Sequence, residues 1–415
     1  MTGCGPAPAG SADQRDDRPC RPAPPAASVA PAPEAGVTHV GEVTVTARWA
    51  VLLAVLAAAV VVLLARSPQP PPDQDPRAPR AASATPDRHD ALLEELVGYG
   101  WRTRGGADGR VVWVTTTADD GPGSLRAAAE APGPTWVRFD PAVFPPEGGG
   151  GRIHLERPID LGARVTVDGR GARVVVENHG FFVDEHDVIV TNLVFDFAAA
   201  HAWFQGNAAV TIGWPSYGVQ DVWIHGNTFL GAGPGELDGG VDVLRSAHRV
   251  TVSWNRFVRW DKTMLLGTDE LDPREAPDEV SIHHNWFERN GQRQPLARFG
   301  RVHVWNNWFD HWDFDGSYGE AVVAGSDAQV LSERNLFEHD RRYPAITSVD
   351  EGGGPGDARD VESAFVGPVR AEVHRPDRVT FDPGEDHDYD AAPVATRPEQ
   401  RSLRETLRAG AGWQP

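Results

Sequence analysis

Residues 278–312 read DEVSIHHNWFERNGQRQPLARFGRVHVWNNWFDHW. The stretch holds two near-copies of one pattern, VSIHHNWF at 280–287 and VHVWNNWF at 302–309, joined by GQRQPLARFG. The pattern returns outside it as VWIHGNTF at 222–229, VTVSWNRF at 250–257 and VLSERNLF at 330–337. Each copy is a short β-type run followed by Asn, one residue, then Phe. The asparagines Asn227, Asn255, Asn285, Asn307 and Asn335 are 28, 30, 22 and 28 residues apart. A period in the twenties marks a solenoid, alternating Val and Ile mark strands, and no long amphipathic helix separates the copies. The economical solution is a single-stranded parallel β-helix with one coil per repeat. A β-sandwich with chance likeness between strands is the alternative, and five in-register copies weigh against it. Asn tolerates left-handed backbone and bonds its neighbours through its amide, which suits a corner taken once per coil. Each Phe is expected to point inward and stack on the Phe of the next coil.

The chain has 415 residues, 40% of them hydrophobic, enough for one large core with appendages. Its formal charge of −20 argues against a nucleic-acid partner. The charge is uneven: residues 350–390 carry 12 acidic residues and 4 arginines, whereas residues 286–301 set Arg289, Arg293, Arg298 and Arg301 against Glu288. A basic island on an acidic protein suits an anionic ligand. The two cysteines, Cys4 and Cys20, precede the folded part, so it has neither a disulfide framework nor a thiolate metal site.

Residues 1–47 are rich in Pro, Ala and Gly, a composition expected to stay disordered. Residues 48–66 enclose an apolar run between Arg48 and Arg66, which reads as a signal anchor or a signal peptide. Residues 67–90 form a Pro-rich linker. Residues 91–394 are the solenoid domain, opened by a helix over 91–97 that is expected to cap its end. The repeats fade after Asp340, and residues 395–415 hold a second helix, over 399–409.

At this point the chain resembles the pectate lyases of polysaccharide lyase family 1. The matching pieces are GPGSLRAAAEA (121–131), VTVDGRGA (165–172), VIVTNLVF (188–195), VDVLRSAHRVTVSWNRF (241–257), DKTMLLG (261–267) and VSIHHNWFERNGQRQPLARFGRVHVWNN (280–307). The last is the most specific, with HHN, R-x-P-x-x-R-x-G and HxxNN at this spacing. The resemblance implies a right-handed parallel β-helix and cleavage of pectate by β-elimination. It makes Arg293 the base, Lys262 and Arg298 the substrate-binding cations, and Asp238 and Asp242 calcium ligands. Such an enzyme is extracytoplasmic, secreted or held by its N-terminal segment at a membrane, and is expected to be a monomer acting on an acidic polysaccharide.

The residues suit that chemistry. Elimination removes a proton α to a carboxylate, so cations must stabilise the charge that develops there. A planar guanidinium holds a carboxylate in two-point fashion. Arginine gives up its proton only in a crowd of other cations, here Lys262, Arg298 and a metal ion. Calcium needs several oxygen ligands, and the chain departs from the pattern at one of them. Ala208 stands where an aspartate is expected, and His225-Gly226 where Asp-His is expected. Glu236 or Asp221 are substitutes, or the substrate's own carboxylates complete the shell. His283 and His284, as neighbours on a strand, are expected to point to opposite faces and to be structural. Two rivals stay open: a surface-anchored β-helix that binds polysaccharide without cleaving it, and a calcium-independent lyase acting on methyl-esterified pectin.

Overall fold

The computed structural model describes residues 87–198, 208–235, 239–268, 271–314, 319–384, 393–396 and 401–415. The apolar run at 49–65 and the 1–47 tail lie outside them. No helix among the described residues is long and apolar enough to cross a membrane.

The chain winds as a right-handed parallel β-helix. Three parallel sheets of ten, nine and nine strands run the length of the solenoid, and every interstrand pairing in them is parallel. One coil shows the pattern: His248–Ser253 lies in the first sheet, Arg256–Trp260 in the second, Leu265–Leu266 in the third, and Asp278–His283 returns to the first. Repeats expected to fade after Asp340 continue for one more coil, Asp357–Val361, Ala364–Val366 and Arg370–Glu372.

The phenylalanines stack as expected. Phe195, Phe229, Phe257, Phe287, Phe309, Phe337 and Phe365 form one continuous column, with ring centroids 4.6–5.4 Å apart and planes within 10° of parallel. All but the last are fully buried. The spacing is that of adjacent strands, so one aromatic per coil fills the interior without a gap.

The asparagines share one corner, but they are not its left-handed residues. That conformation belongs to the residue before each: Gly226, Trp254, His284, Asn306 and Arg334, with φ of 63°, 56°, 53°, 50° and 50°. The asparagines build a buried ladder instead. Each Oδ1 accepts from the backbone N–H of the Asn one coil earlier, at 2.8–2.9 Å. Each Nδ2 donates inward to a strand carbonyl such as Val190 O, Ile224 O or Val252 O. The ladder starts at Leu193 N and ends on Ser363 Oγ. What the position demands is therefore an amide, which is donor and acceptor on one short side chain.

Three helices pack on the solenoid. Leu125–Ala129, capped by Ser124, buries Leu125, Ala128 and Ala129 against the first coil. The helix expected over 91–97 spans Asp87–Leu93 and lies along the outside of the first sheet, not over the end: Leu92 packs on Ile189 and Trp223. The chain after it continues along that face, where the outward hydroxyls of Thr166, Thr251 and Ser281 accept from the N–H groups of Gly106, Gly100 and Tyr99 at 2.9 Å. The last helix, Leu403–Gly410, starts in a Ser402/Glu405 capping box and covers the second sheet through Leu403 and Leu407 on Trp308 and Leu336. The motif VTVDGRGA proves structural: buried Asp168 accepts from Trp136 Nε1 at 3.0 Å and from Arg170 at 2.8–3.0 Å.

Burial also sets an acid limit on this fold. Burial holds His89, His179, His225, His283 and His339 below the ordinary histidine value of 6.5; among the described residues only His311 goes the other way, where Asp310 overcomes burial. Below pH 6.5 the unfolded chain binds protons that these five refuse, so stability rises with pH across that window and falls as pH drops. Each contributes about 1.4 kcal/mol per pH unit at most. Urea midpoints are expected to fall steadily from pH 7 to pH 5; a flat profile contradicts the assignment.

Candidate active site

The N-terminal segment and the last helix account for the outer faces of two sheets. The third sheet carries the residues singled out above. Its outward positions run in register from Phe182 to Thr211 to Asp242, and then from Leu265 to Leu296 to Val323. Along this row the basic island meets Asp242, one of the two expected calcium ligands.

Lys262 and Gln292 pair as a parallel bridge between neighbouring coils, and the next residue, Arg293, accepts from Met264 N at 2.8 Å through its carbonyl. Lys262 and Arg293 are thereby diagonal neighbours. Arg293 is held in the left-handed region, φ 58°, and is half-buried. It lines a cleft of about 180 Å³ with Gln292, Leu296, Val349 and the carboxylates Glu320 and Glu351.

Arg298 ends the strand Leu296–Arg298, which follows Arg293, and is 8% exposed. Its fork is engaged: Nε and Nη2 donate to the two Glu351 oxygens at 2.9 and 2.6 Å, and Nη1 donates to Thr268 O at 3.0 Å. Glu351 thus sits on Arg298 as a uronate carboxylate would. Part of the cation crowd anticipated around Arg293 is matched by an internal anion. Glu351 went unnoticed in the sequence because it stands in an acidic stretch whose surplus reads as solvated surface. Its one signal was the Gly352–Gly354 run, which lets a loop fold back on the groove.

Asp242 is half-buried, and its Oδ1 accepts from Leu265 N at 3.0 Å. Asp238 and Glu236 lie outside the described residues. Asp221 does not substitute for the missing ligand, because it is bound bidentately by Arg249 at 2.8 Å. Ala208 does occupy the place its alignment implies: a Cβ built on Gly239 would lie 2.8 Å from Ala208 Cβ and 2.6–2.7 Å from the Asp242 oxygens. Among the described residues no cluster of three His, Cys, Asp or Glu side chains could hold a metal ion. A hard cation needs more oxygen than Asp242 supplies, so the described residues do not by themselves make a calcium site. Ala208→Asp is expected to tighten calcium binding about tenfold by adding a second carboxylate at this point, measured by titration calorimetry. If that variant binds like the parent and Asp242→Ala also changes nothing, calcium does not bind here.

His283 and His284 do not diverge as strand neighbours would. His284 is the left-handed corner residue, which turns its ring back so that the two Nδ1 atoms lie 2.9 Å apart. Each stacks on one indole, His283 on Trp305 and His284 on Trp254, at 4.2 and 4.6 Å. Both are buried, in keeping with a structural role.

A parallel β-helix with cations and carboxylates gathered along one sheet defines a class, and comparison with known proteins narrows it. The family model described as pectate lyase matches residues 155–365, half of the chain. Pectate lyase 1 of Cryptomeria japonica is 31% identical over 269 residues, covering 59% of this chain and 66% of that protein. A probable pectate lyase of Arabidopsis thaliana is 29% identical over 267 residues, covering 59% and 60%. The chain thus spans 66% and 60% of the length of these two relatives. Among solved structures, the major allergen of cedar pollen superposes with a TM-score of 0.55 at 22% identity, covering 80% of this chain and 97% of that one. A pectate lyase from Bacillus sp. N165 in complex with trigalacturonate superposes at 0.51 and 22%, covering 76% and 98%. The chain belongs to the pectate lyase family.

Proposed function

We propose that this protein cleaves a galacturonate-type polysaccharide by β-elimination, with Arg293 as base and Lys262 and Arg298 as the cations that hold the uronate. Arg293, having given up its own proton to solvent, takes the C5 proton. The electron pair left behind forms the C4–C5 double bond as the C4–O bond breaks, and the departing oxygen takes a proton from solvent water. Lys262, one coil away, stabilises the negative charge that spreads onto the carboxylate as the proton leaves. Arg298 binds a uronate carboxylate by exchanging it for Glu351. The observation that carries the reading is the juxtaposition of Lys262 with Arg293 on neighbouring coils, beside the sheet whose strands hold Arg298 and Asp242.

No step above is routed through calcium. A calcium ion shared by Asp238, Asp242 and substrate carboxylates is an additional proposal, tested by the Ala208 and Asp242 variants. The run at 49–65 supports action outside the cytoplasm, secreted or anchored.

The deciding experiment follows the ultraviolet absorbance of the conjugated unsaturated uronate on polygalacturonate, with calcium and with a chelator. A rise that tracks enzyme concentration is expected. Tight binding to the polymer with no rise would overturn the lyase reading and leave a polysaccharide-binding β-helix.

A further inference from the structure

A second cavity lies at the corner between the first and second sheets. Coil by coil, the left-handed position of that corner carries Asn192, Gly226, Trp254, His284, Asn306 and Arg334, with φ of 50–63°. Gly226 is the member of this row without a side chain. A Cβ built on it would meet nothing closer than Thr191 Oγ1 at 3.9 Å and Asn192 N at 4.0 Å. The cavity that opens there has a volume of about 440 Å³, in the size range of small-ligand sites. The pair His225-Gly226 therefore belongs to this corner, between the strands Gln220–His225 and Thr228–Gly233, and not to the third sheet with Asp242.

Trp254 forms one wall. One face of its indole stacks on His284 of the next coil at 4.6 Å, so the opposite face turns toward the coil of Gly226. Thr191 supplies an independent sign. It lines the cavity, pairs in register with His225 and is 1% exposed, and its hydroxyl has no hydrogen-bond partner among the described residues. A buried hydroxyl left alone costs free energy until something enters to meet it. Gly410, Gly412, Gln414 and Pro415 close the cavity from the C-terminal segment. Asn192 ties that segment down, its amide exchanging two hydrogen bonds of 2.8 Å with the Gln414 backbone. Two charged side chains line the space, Glu95 and Arg170, and each has a partner of its own. Arg170 donates to the two Asp168 oxygens at 3.0 and 2.8 Å. Glu95 accepts from His225 Nε2 at 3.2 Å, a bond that holds its carboxyl below the ordinary value, while burial holds the His225 imidazole below its own.

An aromatic face, a lone buried hydroxyl and a carboxylate at the solvent edge ask for a ligand with an apolar face and hydroxyl groups around its rim. A sugar ring has both: its C–H face lies on the indole, and its hydroxyls reach Thr191 Oγ1 and the Glu95 oxygens. The lining charges are of both signs, so an anion would face Glu95 and a cation would face Arg170. We propose that this cavity is a second binding site, for an uncharged sugar lying flat on Trp254 in the place that Gly226 leaves open. It contains none of Lys262, Arg293, Arg298 and Asp242, so it stands apart from the lyase reading of the third sheet. Held there, a polysaccharide gains a second attachment to the protein, which raises its effective concentration at any other site it reaches.

The test is titration calorimetry on the full chain with three neutral disaccharides, galactobiose, cellobiose and xylobiose, and with digalacturonate and arginine amide as charged probes. Saturable binding of at least one neutral disaccharide is expected. Gly226→His should weaken it at least about tenfold by filling the cavity. That variant repeats the His-His-Asn of 283–285, whose His284 is left-handed and stacks on Trp254 from the other side, so its urea midpoint is expected to match the parent's. Thr191→Val keeps the shape, removes the hydroxyl and should weaken binding about fivefold. Only binding that Gly226→His removes is counted, which keeps a failure here distinct from a failure of the groove on the third sheet. The proposal is overturned if none of the three sugars binds, if Gly226→His leaves their affinity unchanged, or if a charged probe binds this site as tightly as the sugar. Should Gly226→His fall short of the parent's urea midpoint, Thr191→Val decides alone, and unchanged affinity in it overturns the proposal.

Discussion

Arg293→Lys is expected to lower turnover on polygalacturonate about a thousandfold while changing KM less than about threefold. A positioned general base is worth about 10²–10⁴ in rate. Lysine keeps the charge but loses the reach and the planar fork, so a purely electrostatic role would survive the exchange. Arg298→Lys should behave differently. Arg298 is bound at two points by Glu351 and at a third by Thr268 O, and lysine cannot reproduce that fork. Binding and turnover should therefore fall together, because a group that holds the carboxylate acts in both ground and transition states. Measuring kcat and KM for the two variants side by side separates the roles. Near-normal turnover in Arg293→Lys would remove it as the base, and Lys262, its diagonal neighbour, would be the first replacement to examine.

Much of this arrangement was legible in the sequence, and for a physical reason. In a solenoid each coil meets only its neighbours, so a repeated residue is a repeated environment. The Asn-x-Phe period therefore names both the phenylalanine column and the asparagine corner. The same logic located the extra coil poorly, because Asp357–Val366 has Ser363 where an asparagine was sought. The groove was legible through Arg293, Arg298, Lys262 and Asp242, which stand in specific motifs. Residues that reach it from loops were not. Glu351 arrives from an acidic run 53 residues beyond Arg298. The His283–His284 pair failed for a local reason: one left-handed residue cancels the alternation on which the strand argument depends.

Asn285→Ala is expected to destabilise the fold by about 2–4 kcal/mol. Asn285 is fully buried, and its Oδ1 accepts from both the backbone N–H and the Nδ2 of Asn255, at 2.9 and 3.0 Å. Its own Nδ2 donates to Val252 O, His283 O and Asn307 Oδ1 at 2.9–3.0 Å. Alanine strands a buried N–H on one side and carbonyl acceptors on the other, and each stranded group costs about 1–3 kcal/mol. At the head of the ladder, among the described residues, Asn227 Oδ1 accepts only from Leu193 N, so Asn227→Ala should cost less, about half as much. Asn285→Asp keeps the acceptor but buries a charge with no donors to give, and should be no better than alanine. The informative variant is Asn285→Gly. If the corner needed conformational tolerance, glycine would restore stability; because the left-handed residue is His284 at φ 53°, glycine should do no better than alanine. Urea midpoints for the four variants decide between amide and backbone as the reason the asparagine recurs. A glycine variant close to wild type would return the corner to a conformational explanation and reduce the ladder to a by-product of it.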